Sequence, residues 1–218
     1  MTTRVSFVRH GEVDNSLDVY YGRLPGFGLS DEGRRQAQRA AVYLAERATR
    51  SMPPDPASPR IPEAIYTSPL RRARQTAQIL ADRLPGLSPI VSPHLSEVYT
   101  PFDGQPRPAM LARDWDLYSD TQPPYEQPGD IMARARRFIA FVRAEHAGRH
   151  VAAVTHGDVV TFLLLWAMGR QVDHAHKGEV QALVIESNYP APASISSLYF
   201  ETDDPDERPR VEYLRPYD

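Results

Sequence analysis

Short apolar runs alternate along this chain with longer segments in which apolar residues recur at helical spacing. Strands are predicted from these runs at residues 5–8, 64–67, 89–97, 150–155, 181–186 and 194–200. The strand within 89–97 has the weakest pattern, and the last two are predicted to form a closing pair. The run at 150–155 contains VAAV, which is typical of a strand that is buried on both faces.

Four segments have the residue spacing of a helix. They lie at residues 29–50, 68–84, 131–145 and 158–168. Ser30 and Ser68 are the predicted N-caps of the first two helices, because a serine hydroxyl can accept a backbone N–H of the first turn. Strands and helices therefore alternate, which predicts an α/β, three-layer sandwich with a mostly parallel sheet and helices on both faces.

Proline-rich segments interrupt this alternation. Residues 51–62 contain five prolines and are predicted to form a surface loop. Residues 98–128 show little periodicity apart from a helical turn around 110–117, so we predict an insertion that covers part of a pocket. The tail after Glu201 is acidic and is predicted to be exposed or loosely docked. The length suits a single domain over residues 1–218.

Composition narrows the chemistry that the chain can use. The formal net charge of −3 does not favour a nucleic-acid partner, and the absence of cysteine excludes disulfides and thiolate catalysis. The N-terminus has no apolar stretch long enough for a signal peptide or a membrane span, so we expect a cytoplasmic protein with no membrane partner. Lys177 is the only lysine, so anion recognition must rely on arginine and histidine.

Cationic and imidazole side chains follow three of the predicted strands at the point where each strand ends. Arg9 and His10 follow the first strand, and Arg71 lies one turn after the second. His156 and Gly157 follow the predicted strand at residues 150–155. Because the carboxyl ends of parallel strands meet at one edge of a sheet, these groups are expected to surround one dense anion such as phosphate.

Three motifs, in this order, resemble those of one protein family. VRHGE at residues 8–12, SPLRRARQTA at 68–77 and THGD at 155–158 are similar to the motifs of the histidine phosphatase superfamily, also called phosphoglycerate mutase-like. GRLPGFGLSDEGRRQA resembles the family's segment before its first helix. The resemblance covers most of the chain and implies a phosphoglycerate mutase-like fold and phosphoryl chemistry that needs neither cofactor nor metal.

The resemblance also implies roles for particular residues. The histidine of RHG is the family's nucleophile, so His10 is expected to attack phosphorus. Arg9, Arg71 and His156 are expected to bind the phosphate, with His156 also counted among the catalytic residues. The family's general acid follows its third strand, often in an L-x-E context, which is Glu97 in HLSEVY. A neighbouring phosphate dianion raises the pKa of such a carboxyl group and keeps it protonated.

Five further residues are candidates for smaller parts in the site. Gly11 is expected to allow close backbone approach to the phosphate, and Gly157 to contact it after the second histidine. Asn15 is a candidate phosphate ligand, although it lies one place earlier than the asparagine of the mutase pattern. Arg23 in YGRLPG is expected to reach the phosphate or the substrate. Asp103 is the reserve candidate for the general acid.

Other noticeable side chains have plainer interpretations. His174 and His176 alternate as in a strand, but no third or fourth ligand accompanies them, so no metal site is predicted. The aromatic residues of the insertion either cover an apolar or ring-bearing leaving group or anchor the loop. They are Tyr99, Trp115, Tyr118 and Tyr125.

Three functions are compatible with these motifs. The favoured one is a phosphatase that hydrolyses a small phosphorylated metabolite through a phosphohistidine. A cofactor-dependent phosphoglycerate mutase would use the same nucleophile, but VDNS, LSEVYTPFDG and PRPAMLARDWD replace the segments typical of mutases. The third is a non-catalytic family member that binds a phosphorylated ligand, against which the intact site residues argue. The sequence leaves a monomer and a homodimer equally open.

Overall fold

A computed structural model describes residues 1–46, 61–183 and 188–217. Residues 51–60 of the predicted proline-rich loop lie outside these ranges, as do residues 47–50 of the first predicted helix. None of the helices in the described ranges combines the length and the apolar character that crossing a membrane requires.

A six-stranded sheet forms the centre of the fold. Its strands are β1 (Thr3–Arg9), β2 (Ala64–Thr67), β3 (Pro89–Val91), β4 (His150–Thr155), β5 (Ile195–Phe200) and β6 (Arg210–Leu214). The spatial order is β3-β2-β4-β1-β5-β6. The first four strands along the chain are mutually parallel, whereas β5 pairs antiparallel with β1 and β6 antiparallel with β5.

Helices cover both faces of this sheet. They are α1 (Asp31–Glu46), α2 (Arg71–Ala81), α3 (Arg107–Ala112), α4 (Pro128–Glu145) and α5 (Gly157–Ala167), with 3-10 turns at Pro93–Leu95 and Lys177–Ala182. One apolar cluster joins α1 and α2 to one face of the sheet, and a larger cluster joins α4 and α5 to the other. The predicted α/β sandwich is confirmed.

The register of the central strands fixes the position of the site. Arg9 at the end of β1 lies opposite Thr155 at the end of β4, so His10 and His156 leave the sheet side by side. β2 pairs with β4 and ends one residue earlier, which brings Ser68 to the same edge. Sequence periodicity located all three strands, and their parallel pairing gathers the side chains that follow them.

The start of α2 differs from the prediction. Ser30 caps α1 as expected, because its Oγ accepts a hydrogen bond from the N–H of Gly33 at 2.9 Å. Ser68, by contrast, precedes the helix by three residues, and Leu70 occupies the N-cap position without a side-chain bond. The later start turns Arg72 toward the sheet and leaves Arg71 exposed.

The carboxyl-terminal part of the chain also corrects the prediction. The predicted strand at 181–186 is replaced at residues 181 and 182 by a 3-10 turn, and its residues 184–186 lie outside the described ranges. The partner of β5 is instead the tail, which returns as β6 along its free edge. The acidic residues and prolines of the tail predicted an exposed or loosely docked segment, but only residues 201–209, which connect β5 to β6, form a loop. In the 98–128 insertion the helical turn lies earlier than predicted, as α3.

Candidate active site

His10 follows β1 with its ring almost fully enclosed, at 2% exposure. Its Nδ1 lies 2.8 Å from the carbonyl oxygen of Gly11, and a carbonyl can only accept. Nδ1 therefore carries the proton, and Nε2 presents its lone pair. Burial lowers the pKa of His10 well below its ordinary value of 6.5, and the charges of Arg72 and Arg9 lower it further. The ring is a neutral nucleophile at neutral pH.

Arg72, and not Arg71, is the arginine of α2 that reaches this ring. Arg72 is completely buried, and its Nε lies 3.2 Å from Nε2 of His10. Its Nη2 donates to the carbonyl oxygen of Gly22 at 2.8 Å and lies 3.2 Å from Nδ1 of His156. Arg71 points outward and donates to the carbonyl of Gly26. The structure therefore places Arg72 in the cluster where the sequence had predicted Arg71, because Arg72 shares the buried face of α2 with Ala73 and Thr76.

His156 lies beside His10, with ring centroids 5.2 Å apart. The bond from Arg72 makes its Nδ1 an acceptor, so Nε2 carries the proton toward the hydroxyl oxygen of Ser68 at 2.7 Å. Burial lowers the pKa of His156 well below 6.5, and the charge of Arg72 lowers it further. Ser68 therefore orients this imidazole rather than capping a helix.

Glu97 faces the two imidazoles from the third side. Its Oε2 lies 3.4 Å from Nδ1 of His156 and 3.6 Å from Nη2 of Arg72. Burial raises the pKa of Glu97, and this effect outweighs the opposing charge of Arg72. The backbone carbonyl of Glu97 accepts hydrogen bonds from Arg23 and Arg134, at 2.8 and 3.4 Å. A fixed carboxyl group with a raised pKa suits a general acid.

Arg9 closes the cluster from the end of β1. Its Nη1 donates to the carbonyl oxygen of Pro190 at 2.5 Å, and its guanidinium carbon lies 5.0 Å from the ring centroid of Tyr189. The Nε of Arg9 is buried and has no hydrogen-bond partner among the described residues. The same is true of Nη1 of Arg72. Two guanidinium groups thus retain buried donors with no acceptor in the described part of the chain.

Asp158 anchors a buried network that the sequence did not reveal. Its Oδ1 lies 2.7 Å from Nζ of Lys177 and accepts a hydrogen bond from the Tyr189 hydroxyl at 2.8 Å. The Tyr118 hydroxyl donates to Oδ2. The Lys177 charge and these bonds lower the pKa of Asp158 despite its burial. Asp158 is therefore an anion that is already paired, and it adds no uncompensated charge to the site.

Two glycines of the motifs are explained by packing. A Cβ on Gly11 would come within 2.3 Å of the carbonyl oxygen of Gly33 in α1, and a Cβ on Gly157 within 2.2 Å of the Tyr189 hydroxyl. Both positions exclude a side chain because other parts of the protein already occupy that space. Close approach to a phosphate, the expected reason for Gly11, is not needed to explain it.

The remaining candidates do not join the cluster. Asn15 closes its own loop through two bonds with the backbone of Val19. Arg23 bonds to Glu126 at 3.0 Å as well as to the Glu97 carbonyl, so it supports the acid from behind. Asp103 accepts the backbone N–H of Arg23 at 3.0 Å. The structure therefore shows Asn15 and Arg23 bonded to other parts of the protein, and the prediction that Asn15 contacts the phosphate and Arg23 the phosphate or the substrate stays a prediction.

An aromatic ring lies against the Arg72 and His10 side chains, and several others lie within the insertion. Tyr21, which sequence reasoning missed, has its ring centroid 4.7 Å from the Arg72 guanidinium and 6.5 Å from the His10 ring. Within the insertion, Tyr99 and Tyr125 pack against each other at 5.2 Å. Tyr118 is buried on Asp158, so it anchors the insertion, whereas Trp115 is exposed. The position of Tyr21 just before GRLPG was the available signal.

A metal ion fits this cluster poorly. One potential ligand atom from each of His10, Glu97 and His156 lies within 4.8 Å of the other two. The Arg72 guanidinium, however, contacts a nitrogen of both imidazoles, and its positive charge opposes a divalent cation. Elsewhere in the described ranges no group of three such ligands is found, and His176 is paired with Asp173 at 2.6 Å.

The charges of the cluster match a dense anion. Arg72 and Arg9 supply two positive charges, against which the described site offers only Glu97, whose pKa is raised. A buried cation requires a counter-ion or hydrogen-bond acceptors. A tetrahedral oxyanion would supply both to the unpaired guanidinium donors. The cluster therefore has the charge and the free donors that a phosphoryl group would satisfy.

This chain is similar to known proteins over most of its length. Uncharacterized protein Rv0525 of Mycobacterium tuberculosis (strain ATCC 25618 / H37Rv) is 34% identical over 208 residues, which cover 92% of each chain. The native structure of mycobacterial glucosyl-3-phosphoglycerate phosphatase Rv2419c has a TM-score of 0.71 and 26% identity, over 98% of this chain and 97% of that one.

A mutase matches a smaller part of the chain. The 2,3-bisphosphoglycerate-dependent phosphoglycerate mutase of Mycobacterium leprae (strain TN) is 35% identical over 82 residues, which are 37% of this chain and 28% of the mutase. Residues 5–188 match the histidine phosphatase superfamily (branch 1). From these matches and the arrangement of His10, Arg72 and His156, the chain belongs to branch 1 of the histidine phosphatase superfamily.

Proposed function

We propose that this protein hydrolyses a small phosphomonoester through a phosphohistidine on His10. In the first step Nε2 of His10 attacks phosphorus, so that a P–N bond forms as the ester P–O bond breaks. The leaving oxygen takes its proton from Glu97, which becomes a carboxylate. Arg72 and Arg9 balance the charge on the phosphoryl oxygens during the transfer.

The second step returns the enzyme to its first state. The Glu97 carboxylate removes a proton from a water molecule, whose oxygen attacks the phosphohistidine. The P–N bond breaks, inorganic phosphate leaves, and His10 regains its neutral ring. The proposed place of the phosphoryl group, here called the phosphoryl pocket, is bounded by Arg9, His10, Arg72, Glu97 and His156. His156 acts in both steps by bounding it and by accepting a hydrogen bond from Nη2 of Arg72. Every proton and bond is then accounted for without a metal or cofactor.

One observation carries the proposal: buried guanidinium donors without a partner in the described ranges stand beside a ring nitrogen that carries no proton and accepts a hydrogen bond from Arg72. The carbonyl of Gly11 fixes the tautomer of His10, and Arg72 lies against the same Nε2. Nη1 of Arg72 and Nε of Arg9 are the buried donors without a described partner. A structural salt bridge would leave neither feature. The phosphatase Rv2419c, similar over nearly the whole chain, supports hydrolysis as the reaction.

The direct test is release of p-nitrophenol from p-nitrophenyl phosphate by the protein and by His10→Asn. We expect turnover by the unaltered protein, and an acid-labile, alkali-stable phosphoryl label on it after a short incubation. Neither signal should appear with His10→Asn. Equal rates in the two proteins would place the chemistry elsewhere or show that the preparation is contaminated.

The mutase alternative has its own test. The protein is incubated with 3-phosphoglycerate and a catalytic amount of 2,3-bisphosphoglycerate, and both isomerisation and phosphate release are followed. Hydrolysis predicts phosphate release that exceeds isomerisation. Rapid isomerisation without phosphate release would replace the hydrolase proposal by a mutase. Tight binding without either reaction would favour a non-catalytic family member.

A further inference from the structure

A second basic surface lies next to the phosphoryl pocket. It is a cleft of about 650 Å³, here called the outer cleft, between the loop at residues 23–26, the exposed face of α2 and strand β3. Arg23, Arg71 and Arg74 line it, and no aspartate or glutamate does. Its size suits a sugar-sized group better than a single ion.

Arg71 and Arg74 are the cations of this cleft that are available to a ligand. Both are exposed, and neither forms an ion pair with any residue in the described ranges. Arg71 is steered into the cleft by Nη1, which donates to the carbonyl of Gly26 at 3.1 Å. A Cβ on Gly28 would come within 3.3 Å of Nε of Arg71, so this glycine leaves room for the side chain.

This lack of partners distinguishes the pair from several exposed arginines elsewhere. Arg35 pairs with Glu32 at 2.8 Å, and Arg210 with Glu212 at 2.6 Å. Arg23 itself is neutralised by Glu126. The outer cleft thus concentrates two guanidinium groups, one helical turn apart, in a concave surface without a competing acid. Such a surface favours a ligand with its own negative charge.

The outer cleft shares its walls with the phosphoryl pocket. Arg23 lines the cleft, and its Nε donates to the carbonyl oxygen of Glu97. The preceding residue, Gly22, accepts a hydrogen bond from Arg72 through its carbonyl. Leu70, on the cleft wall, donates its N–H to Ser68, which orients His156. The walls of the outer cleft, with the adjoining Gly22, are therefore hydrogen-bonded directly to Glu97, Arg72 and Ser68.

From this continuity we propose that the outer cleft binds a second anionic group of the substrate, a carboxylate or a further phosphate carried by the leaving group. Arg71 and Arg74 are its ligands, while Arg72 and Arg9 serve the phosphoryl group that is transferred. The proposal rests on the hydrolase function above and narrows its substrate class to phosphomonoesters with two separated negative groups.

The test compares two matched pairs of substrates by kcat/KM. 6-Phosphogluconate differs from sorbitol 6-phosphate by a carboxylate, and glucose 1,6-bisphosphate differs from glucose 6-phosphate by a phosphate. We expect a preference of about tenfold or more for the doubly anionic member of at least one pair, the scale of a charge-assisted hydrogen bond. Which pair shows it distinguishes a carboxylate ligand from a phosphate ligand.

Arg71→Gln with Arg74→Gln should bring that ratio close to one. The matched control is Arg34→Gln with Arg83→Gln, because these two exposed arginines have no ion pair in the described ranges and do not line the cleft. The control removes the same net charge and should keep both the activity and the ratio. A ratio that both double variants lower equally would assign the effect to net charge and overturn the proposal.

Calorimetric binding of the same compounds to His10→Asn separates this proposal from the hydrolase function. If p-nitrophenyl phosphate is turned over through His10 but no pair shows a preference that depends on Arg71 and Arg74, the cleft proposal is wrong and hydrolysis stands. If turnover is absent but the doubly anionic compound binds more tightly through Arg71 and Arg74, the cleft proposal stands and hydrolysis fails.

Discussion

The phosphoryl pocket and the outer cleft both present arginines at the carboxyl edge of the sheet, but they hold them differently. Arg72 is completely buried, with contacts to both imidazoles, the Gly22 carbonyl and Glu97. Arg71, its neighbour in sequence, is exposed and makes one hydrogen bond to the Gly26 carbonyl. Adjacent residues of one helix therefore serve a rigid site and an adaptable one.

The contrast separates chemistry from selectivity. A buried guanidinium cannot change position without losing hydrogen bonds, so the pocket is preorganised for one group, the phosphoryl that every substrate shares. An exposed arginine keeps several rotamers and can follow leaving groups of different shape. Substitutions in the pocket should therefore lower the rate for all substrates, and those in the cleft should change the order of preference among them.

The largest effect is expected from His10→Asn. Asparagine occupies a similar volume but has no nucleophilic ring nitrogen, so kcat for p-nitrophenyl phosphate should fall by about 10⁴-fold or more. Circular dichroism and urea unfolding should show that the variant remains folded. Residual turnover above a hundredth of the original rate would mean that the buried cluster works without a phosphohistidine, and the contrast with the outer cleft would lose its basis.

The second prediction sets Arg72 directly against Arg71. Arg72→Gln should lower kcat/KM for p-nitrophenyl phosphate by about 10³-fold, because it removes a fixed charge that acts on the transition state. Arg71→Gln should lower it by no more than about tenfold, because water screens an exposed charge. Arg72→Lys keeps the positive charge but loses the planar guanidinium, so its kcat/KM should lie between those of Arg72→Gln and Arg71→Gln.

Similar losses from Arg71→Gln and Arg72→Gln would break the distinction between the two surfaces. They would show that Arg71 acts on the transferred phosphoryl group together with Arg72, as the sequence predicted for Arg71 alone. The motif contained a better signal than helix capping did: in SPLRRARQTA the second arginine stands directly before alanine, on the buried face of α2.

Much of the fold and the centre of the site could be predicted because periodicity locates strands and parallel strands end at one edge. His10 and His156 follow directly from that rule, and Glu97 followed from the family resemblance. The role of Arg72 was missed. The predicted N-cap, Ser68, also lies two residues before the observed one, Leu70, a difference that serine and proline preferences could not resolve. The preferences of single residues are a weak guide to the first residue of a helix. Here Ser68 follows the end of β2 and bonds to His156 instead of capping α2.

Long-range partners could not be predicted at all. β6 forms because β5 presents a free edge, and an acidic, proline-containing tail carries no local sign of that pairing. Lys177 reaches Asp158 from a 3-10 turn, 19 places along the chain, although neither residue stands in a pattern of paired charges. Such contacts are properties of the assembled molecule, and they also support the buried pocket.

The third prediction tests that support. Lys177→Met should lower the free energy of unfolding by about 3 kcal/mol, because it leaves the buried Asp158 carboxylate without its counter-charge. Urea unfolding measures the change. It should also lower kcat/KM modestly, because Asp158 holds the Tyr189 hydroxyl and the Tyr189 ring lies against Arg9.

The matched control is the double variant Lys177→Met with Asp158→Asn, in which neither charge remains. It should recover a large part of the lost stability, because the uncompensated charge is what costs free energy. A double variant less stable than Lys177→Met would mean that Asp158 contributes through hydrogen bonds to the tyrosines rather than through its charge. The pocket would then be held by hydroxyl contacts and not by an ion pair.

The effect that depends most on the substrate is expected from Glu97→Gln. An alkyl phosphate needs a proton on its leaving oxygen, so its kcat/KM should fall by about 10²-fold. p-Nitrophenolate leaves without a proton, so kcat/KM for p-nitrophenyl phosphate should change much less. Its kcat should still fall, with phosphohistidine accumulating, because Glu97 also serves as the base for water.

The pH dependence of kcat/KM also tests the roles of His10 and Glu97, because their pKa values are shifted in opposite directions. Burial lowers the pKa of His10 below 6.5, so the neutral nucleophile persists into acid, and activity is lost only as pH falls through that lowered value. Burial raises the pKa of Glu97 above 4.5, so its acid form is lost as pH rises through that raised value. For an alkyl phosphate, kcat/KM should therefore show an acid limb from His10 and an alkaline limb from Glu97. Glu97→Gln should flatten the alkaline limb of the pH profile and keep the acid limb. Because both proteins are compared on one substrate, the ionisation of the substrate affects both profiles equally. An unchanged alkaline limb would remove Glu97 from the proton transfer and leave Asp103 as the acid to test.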